Sequence, residues 1–317
     1  MKVLMLVQAD HGSTAFESLY DEMGRHFEVF DLRWLSGKEQ ADLKSYFHQN
    51  VDVDKYDRIV SFIRLKKEIK QVRFYRTIPN LVFLEYDACQ NYMAGSKYRG
   101  IFSRHYKKIP WVKVISSGYA VAKKLESEGI DTVFVPKGYD NTLISNLGMV
   151  RDIEMGFVGN LRNKTYLQRR LFLEDLSNTH GVRIEKTVPG APYNEMLNRM
   201  KYFISADIGI GEYMQKNFEA MAAGCIVFAL DQGMDENEAF GLKDLENIVL
   251  YENKEDLLAK KKILENDQVL KDKIKQQGQE LSKRYTNSEV AKLFYMALSQ
   301  PLRTKTKQNF FRTLLGL

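Results

Sequence analysis

The chain has 317 residues, which exceeds the size at which one hydrophobic core stops growing, so two domains are expected. Hydrophobic residues make up 44% of it and charged residues 28%, a composition that excludes a disordered protein. The net charge of +6 favours anionic partners, but no zinc-finger or RNA-binding motif is present, so no nucleic-acid partner is expected.

Short apolar runs alternate with amphipathic segments along the first 136 residues. Continuous apolar runs are typical of parallel strands that are buried on both faces. The predicted strands are 3–8, 27–30, 57–62, 81–84, 112–116 and 132–136, and the predicted helices are 15–26 and 121–128. This alternation predicts a parallel sheet with right-handed crossovers.

The same alternation begins again after residue 152. Strands are predicted at 155–160, 182–185, 202–205, 225–229 and 248–251, and helices at 166–178, 193–200 and 218–223. Two long charged helices are expected over 254–300, and 141–152 is a hinge candidate. We therefore predict an α/β chain with an amino-terminal domain at 1–145, a carboxyl-terminal domain at 146–300 and a basic amphipathic tail at 301–317.

The cysteines and histidines indicate a protein of a reducing compartment without a metal site. Cys89 and Cys225 lie far apart in apolar surroundings, where small buried residues are expected. No two histidines have metal-ligand spacing, and His105 is interpreted as an ordinary surface residue rather than an acceptor contact. No apolar stretch approaches the ~20 residues of a membrane span, so a cytoplasmic location is expected.

The strongest chemical signal is the stretch Lys216–Val227, KNFEAMAAGCIV. Its small residues predict a helix that begins near Asn217 and packs tightly on a sheet. Glu219 would then lie in the first turn, where a carboxylate can accept hydrogen bonds from a ribose diol and the helix N-terminus can face a diphosphate. A carboxylate that only stabilises the helix dipole is the alternative.

This stretch resembles the Arg/Lys-x-Phe-Glu-Ala-x-Ala-x-Gly pattern of GT-B glycosyltransferases of the family 4-like and CgeB-like groups. Three further stretches resemble the family in the same order: Ile115–Gly118, Val135–Asp140 and Phe157–Arg162. The likeness spans residues 112–298, whereas the first 110 residues match only in architecture. The resemblance implies a GT-B fold, in which two Rossmann-like parallel-sheet domains face a central crevice.

The resemblance also implies a donor site in the carboxyl-terminal domain. It places Glu219 at the ribose of a UDP- or GDP-sugar, with Asn217 and Phe218 beside it and Lys216 near the phosphates. Many family members carry a Glu-x7-Glu pattern, whereas here only six residues separate Glu212 from Glu219. Glu212 is kept as a catalytic candidate, and a retaining or an inverting outcome stays open.

A loop led by Gly159 is the second expected part of the donor site. Glycine permits close approach of the backbone to pyrophosphate, and an Arg can clamp two phosphate oxygens. Arg162 and Lys164 are the candidate cations, although solvated loop cations are the alternative. Asn160 stands directly after Gly159, where family 4 members carry an Arg, so the match is by region only.

The amino-terminal domain is expected to supply the acceptor side. Gly12 follows the first strand and is expected near the donor phosphates or the acceptor. Glu85 and Asp87 lie at a strand end and share a face, which makes them candidates for the general base of an inverting transferase. Asp10 and His11 are the next candidates, and capping or ion-paired carboxylates are the alternative.

The tail combines basic with bulky apolar residues: Arg303, Lys305, Lys307, Phe310, Phe311, Arg312, Leu314, Leu315 and Leu317. Such a segment suits a peripheral contact with the inner face of a membrane, as an enzyme with a lipid-linked acceptor would need. A helix that docks across the amino-terminal domain is the favoured alternative.

These features predict a glycosyltransferase of the hexosyltransferase type. It would move a sugar from a UDP- or GDP-sugar to a glycan or lipid-linked glycan acceptor, in bacterial surface polysaccharide synthesis. No cofactor is required, because protein groups can stabilise the leaving diphosphate. The alternatives are a nucleotide-sugar epimerase and a non-catalytic nucleotide-sugar-binding protein on the same scaffold.

Overall fold

The computed structural model describes residues 1–9, 16–161 and 166–304, which form two α/β units. Of these residues, the first unit comprises 1–9, 16–117, 121–135 and 291–304, and the second comprises 118–120, 136–161 and 166–290. Each unit contains one parallel sheet, which confirms the predicted α/β class. The predicted domain limits at 145 and 300 remain predictions.

The sheet of the first unit has the strand order β2-β1-β3-β4-β5-β6. Its strands are β1 (Lys2–Gln8), β2 (Val29–Leu35), β3 (Arg58–Phe62), β4 (Leu81–Glu85), β5 (Lys113–Ser116) and β6 (Asp131–Phe134). The core of β1, from Val3 to Val7, is almost completely buried. Because β1 pairs with β2 on one side and β3 on the other, its continuous apolar run is what a central parallel strand requires.

Helices connect these strands. They are α1 (Glu17–Gly24), α2 (Leu43–Asn50), α3 (Leu65–Glu68), α4 (Val72–Tyr75), α5 (Ile101–Tyr106) and α6 (Tyr119–Ser127). The sequence pattern did not predict α2 to α5, since helices of four to eight residues show too few turns for a clear period.

The sheet of the second unit has the strand order β11-β10-β9-β7-β8. Its strands are β7 (Ile153–Val158), β8 (Arg183–Glu185), β9 (Met200–Ser205), β10 (Ile226–Leu230) and β11 (Val249–Tyr251). The later helices are α7 (Leu167–His180), α8 (Ala191–Arg199), α9 (Gln215–Ala222), α10 (Met234–Ala239), α11 (Lys254–Glu265), α12 (Gln268–Ser282) and α13 (Asn287–Ser299). The strands of both units agree with the predicted ones within two residues at most ends.

The charged carboxyl-terminal segment contains three helices, so the prediction of two long helices is wrong. Helix α11 ends at Glu265, and Asp267 then caps α12 by accepting a hydrogen bond from the backbone N–H of Leu270. An Asn-Asp pair inside a charged pattern is therefore the stop and start signal that the prediction missed.

Helix α9 begins at Gln215, two residues earlier than predicted. Met214 before it is extended, with φ −84° and ψ 149°, so the helical backbone starts directly after it. Glu219 consequently lies in the second turn, and its predicted place in the first turn is wrong. Because the helix dipole acts mainly within the first turn, the dipole explanation for Glu219 loses its basis.

Single residues and segments bear on other predictions. Cys89 and Cys225 are buried as expected. The expectation of a surface His105 is wrong, because this side chain is only 2% exposed and bonds to Glu68. The hinge candidate 141–152 lies inside the second unit. In residues 1–9, 16–161 and 166–304, no helix is long and apolar enough to cross a membrane.

Candidate active site

Glu219 lies on α9 near the carboxyl edge of the second sheet, and its carboxylate is held from two sides. The Tyr193 hydroxyl donates a hydrogen bond to Oε2 at 2.6 Å, and the Gln215 amide donates to Oε1 at 2.9 Å. The side chain is partly exposed. A carboxylate oxygen has more than one acceptor position, so both oxygens keep capacity for a ligand hydroxyl.

Lys216 completes this cluster. Its ammonium lies 4.7 Å from the centre of the Tyr193 ring and donates to the Tyr193 hydroxyl at 3.5 Å. Burial lowers the pKa of Lys216, while the charge of Glu219 acts in the opposite direction. Burial, and then Glu219, raise the pKa of Tyr193 well above its ordinary value, so Tyr193 acts as a neutral donor.

Gly159, directly after β7, leaves the space that Lys216 occupies. A Cβ at this position would lie 3.3 Å from Cε of Lys216 and 3.0 Å from the Phe157 ring. The structure thus brings together three residues that the sequence singled out, namely Gly159, Lys216 and Glu219, and adds Tyr193. The sequence pattern did not indicate Tyr193. This residue follows Gly-Ala-Pro at the start of α8, and that pattern predicts a helix start but no ligand site.

Asn217 and Phe218 lie in the core and support the helix. Asn217 is fully buried and donates to Asp207 at 3.2 Å, and Phe218 stacks 4.0 Å from the Tyr285 ring centre. The structure gives both a packing role, and a direct contact of either with a nucleotide remains a prediction.

Asp207 is a buried junction that the sequence did not indicate. Its carboxylate accepts hydrogen bonds from Arg169 at 2.6 Å and from Ser205, Asn217 and the backbone of Met214 at 3.1–3.2 Å. Because the backbone N–H of Met214 points at Asp207, this junction fixes the start of α9 and with it the position of Glu219.

Glu212 and Glu236 form a buried acidic pair in the same unit. Glu212 is 1% exposed, and Lys137 donates to its Oε1 at 3.4 Å. Glu236 is completely buried and accepts a hydrogen bond of 2.7 Å from the backbone N–H of Ala120, in the first turn of α6. Gly118 packs so closely on Glu212 that a Cβ there would lie 2.4 Å from Oε2.

Burial is the main reason that the pKa of Glu236 is raised, to about 7. The hydrogen bond from Ala120 opposes this shift, and the nearby charge of Glu212 adds to it. Within the part of the chain that the structure describes, Oε1 of Glu236 has no hydrogen-bond partner. Sequence analysis missed Glu236; its one visible signal was its place after Gly233 beyond the end of β10.

Comparison with known proteins bears on the fold and on the second half of the chain. Residues 148–294 match a family model described as glycosyl transferase-like. No curated protein sequence matches the chain. Residues 148–294 are therefore similar to glycosyl transferase-like proteins, and the chain has the GT-B fold.

Solved structures of low sequence identity share this fold. Anabaena HepE in complex with UDP-glucose is 14% identical, with 94% of this chain and 99% of that chain covered and a TM-score of 0.68. Sucrose-phosphate synthase from Thermosynechococcus elongatus is 11% identical, with both chains fully covered and a TM-score of 0.65. An α-glucosyltransferase in complex with UDP-glucose and DNA is 10% identical, with 95% and 100% covered and a TM-score of 0.56.

In the first unit, the two predicted base candidates form a local turn. Glu85 is the last residue of β4, and its Oε1 accepts a hydrogen bond of 2.8 Å from the backbone N–H of the exposed Asp87. This is the capping arrangement named as the alternative. A catalytic role for either carboxylate remains a prediction.

The remaining predicted site residues divide into two groups. Asn160 is exposed directly after Gly159. Five residues lie outside the described residues: Asp10, His11, Gly12, Arg162 and Lys164. Across 1–9, 16–161 and 166–304, no group of three or more His, Cys, Asp or Glu side chains is arranged to hold a metal ion.

Proposed function

We propose that this glycosyltransferase moves a hexosyl group from a UDP- or GDP-sugar to a glycan or lipid-linked glycan acceptor. The process that it serves is bacterial surface polysaccharide synthesis, at a cytoplasmic location. The observation that carries the proposal is the cluster of Glu219, Tyr193, Lys216 and Gly159 at the carboxyl edge of the second sheet. Ligands of open α/β sheets bind at this edge.

Glu219 binds the ribose in this proposal. Tyr193 and Gln215 orient its carboxylate before a ligand arrives, so little side-chain freedom is lost on binding. The two ribose hydroxyls would donate to the remaining acceptor positions. A hydrogen bond to a charged group contributes about 1.5–3 kcal/mol, which makes Glu219 the largest single contributor expected for the nucleoside.

Lys216 and Gly159 serve the diphosphate. A partly buried ammonium attracts phosphate oxygens more strongly than a solvated one, because the local dielectric constant is lower. The absence of a side chain at Gly159 keeps the approach to Lys216 open. Arg162 and Lys164, in the loop that follows, are proposed as further phosphate contacts. These cations would stabilise the negative charge of the leaving nucleoside diphosphate.

The transfer itself requires an acceptor hydroxyl and a place for its proton. The hydroxyl oxygen forms a bond to the anomeric carbon, the bond from that carbon to the diphosphate oxygen breaks, and the proton passes to a base. Glu85 and Asp87 are the proposed bases of the amino-terminal unit, and Glu212 is the proposed catalytic carboxylate of the other unit. Several structures with this fold were solved with UDP or UDP-glucose bound, which supports a UDP-linked donor here.

Calorimetric titration with UDP and with GDP tests the donor site. Glu219→Ala should bind the preferred nucleotide on the order of a hundredfold more weakly than the unchanged protein, given two lost hydrogen bonds to a charged group. Glu280→Ala is the matched control, since Glu280 is an exposed helical glutamate on α12. Equal affinity of the Glu219→Ala and control proteins would remove the ribose assignment.

Product analysis tests the reaction class. Incubation with the bound nucleotide sugar and a pool of glycan acceptors should yield a nucleoside diphosphate and a glycosylated acceptor. An isomeric nucleotide sugar, formed without any acceptor, would instead identify an epimerase.

A further inference from the structure

The positive charge of the chain is concentrated in two short segments of the first unit, 64–76 and 97–108. Together they carry eleven Lys or Arg side chains and one carboxylate, Glu68. This is a net +10 in a chain of net +6, so all other residues together are net −4. Ordinary protein surfaces intersperse both signs, whereas these two segments carry a single acid among eleven cations.

The fold brings the two segments into contact and buries their one carboxylate. Glu68 on α3 is 3% exposed and bonds at 2.9 Å to Nε2 of His105 on α5, which is 2% exposed. The ring of His105 in turn lies 5.4 Å from Phe83 of β4. The hydrogen bond between Glu68 and His105 therefore holds the two basic segments side by side. Glu68, the only carboxylate among their cations, faces the core.

The cations themselves face outward. We call the following exposed side chains the basic surface: Lys66, Lys70, Arg73, Lys97, Arg99, Arg104 and Lys108. The partly exposed Lys67 lies beside them. Among the described residues, no carboxylate forms an ion pair with Lys66, Lys67, Lys70 or Arg73, whereas the neighbouring Lys107 pairs with Glu128. Such unpaired like charges repel each other unless an anionic partner covers them.

The aromatic residues between these cations decide which anionic partner fits. Single-stranded nucleic acids bind where aromatic rings are exposed for base stacking. Here Tyr75, Phe102 and Tyr106 are at most 1% exposed, whereas Phe74 and Tyr98 are partly exposed. The ring of Phe74 packs on Phe47, and the ammonium of Lys97 lies over the ring of Tyr98, so both rings already have a packing partner. Moreover, no large apolar side chain is fully exposed in residues 60–112, all of which are described, so this range offers no exposed apolar anchor for a bilayer. What remains is a broad array of mostly lysine charges, which suits diffuse attraction to headgroups.

We propose that the basic surface docks the protein on a membrane that contains anionic lipids. Attraction between Lys or Arg and an anionic bilayer surface needs no inserted residue and no defined stereochemistry. The same unit also includes residues 291–304, and basic and apolar residues follow them in the sequence. Stable membrane attachment commonly takes two signals, and the basic surface would be one of them. The proposal does not depend on the donor assignment.

Vesicle co-sedimentation of the full chain tests it. The protein should bind phosphatidylcholine vesicles that contain phosphatidylglycerol and not those without it. Binding should fall steeply between about 0.1 M and about 1 M salt, where the screening length shrinks from about 10 Å to about 3 Å. Changing Lys66, Lys67, Lys70 and Arg73 together to Gln should weaken binding on the order of a hundredfold or more, at about fivefold per charge.

Two control proteins lose the same charge elsewhere. One carries Gln at Lys262, Lys271, Lys273 and Lys275 of α11 and α12 in the second unit, and it should bind like the unchanged protein. The other carries Gln at Arg303, Lys305, Lys307 and Arg312, and it measures the contribution of the tail. A thermal melt and the UDP affinity of each variant show that its fold and donor site are intact.

Several results would overturn the proposal. One is that the variant of the basic surface binds vesicles as tightly as the unchanged protein does. Another is that only the tail variant loses vesicle binding. The third is that the unchanged protein binds DNA or heparin but not vesicles. If the first variant fails to fold, Gln at Lys97, Arg99, Arg104 and Lys108 addresses the second segment and must give the same loss. Failure of nucleotide binding alone would leave vesicle binding unchanged, so the two proposals fail separately.

Discussion

The second unit holds two groups of carboxylates in opposite environments. Glu219 is partly exposed, and both of its oxygens accept hydrogen bonds from neutral donors, with Lys216 nearby. Glu236 is fully buried beside Glu212, and the backbone N–H of Ala120 donates a hydrogen bond to its Oε2. The first arrangement keeps a charge available to a ligand, whereas the second makes a charge costly. Proximity to the sheet edge therefore does not by itself make an acid a ligand-binding group.

The difference between these environments predicts that changes in the two groups affect different quantities, namely nucleotide affinity and the free energy of unfolding. Changes at Glu219 and its partners should act on nucleotide binding, because these side chains reach the surface. Changes at the buried Glu236 should act first on the free energy of unfolding, since burial disfavours the charged form of this side chain. Each of the following predictions tests one side of this contrast.

The largest effect is expected from Glu236→Gln. The folded protein holds the proton of Glu236 up to a pKa of about 7, compared with 4.5 for an ordinary glutamate. Between these values the folded state binds more protons than the unfolded chain, so the free energy of unfolding falls as the pH rises from about 4.5 to about 7 and is level above. The full loss is about 3 kcal/mol at most.

Glu236→Gln removes this titration, so urea unfolding at pH 5 and pH 8 should show a smaller pH dependence, by up to about 3 kcal/mol. Glu238→Gln on the same helix is the control, because Glu238 is exposed. If both variants keep the pH dependence of the unchanged protein, the proton on Glu236 is not linked to folding.

An intermediate effect is expected from Gly118→Ala. The new Cβ would lie 2.4 Å from Oε2 and 2.8 Å from Cβ of Glu212. The second contact is close to the backbone, so rotation of the glutamate side chain cannot relieve it. Overpacking of this kind costs about 2 kcal/mol. The free energy of unfolding should fall by about that amount.

Gly95→Ala provides the matched comparison for this measurement. No atom lies within 4 Å of a Cβ at Gly95, so the change should stay within about 0.5 kcal/mol. Similar losses in the two variants would mean that backbone freedom, and not the contact with Glu212, determines the result.

Most strands of both sheets were predictable because they are nearly continuous apolar runs. Strand β2 is an exception, since Asp31 and Arg33 interrupt it and its predicted end at residue 30 is five residues short. Glu219 was found because small residues and Gly224 mark its helix. The first residue of that helix was not predicted correctly, because it depends on the extended backbone of Met214 and on the buried junction at Asp207. Residues that are distant in sequence form this junction. Local patterns cannot show such contacts.

Burial in the finished fold explains the other omissions. Glu68 and Glu236 are ordinary acids in the sequence, and only the packed structure shows that each is removed from water. Likewise, His105 looked like a surface residue because cations surround it in the chain. The distribution of charge along the sequence was visible, but which side chains turn inward was not.

The smallest effect is expected from Tyr193→Phe, which removes one hydrogen bond to Glu219 and keeps the ring under Lys216. Loss of one orienting bond should weaken nucleotide binding by about 1 kcal/mol, or about fivefold, in the same calorimetric titration. Tyr56→Phe is the control, because the Tyr56 hydroxyl makes the equivalent bond to Asp31 in the first unit. It should leave nucleotide affinity unchanged. Tighter nucleotide binding by Tyr193→Phe would instead show that the Tyr193 hydroxyl competes with the ribose for the carboxylate of Glu219. Tyr193 would then block Glu219 rather than orient it for the ligand.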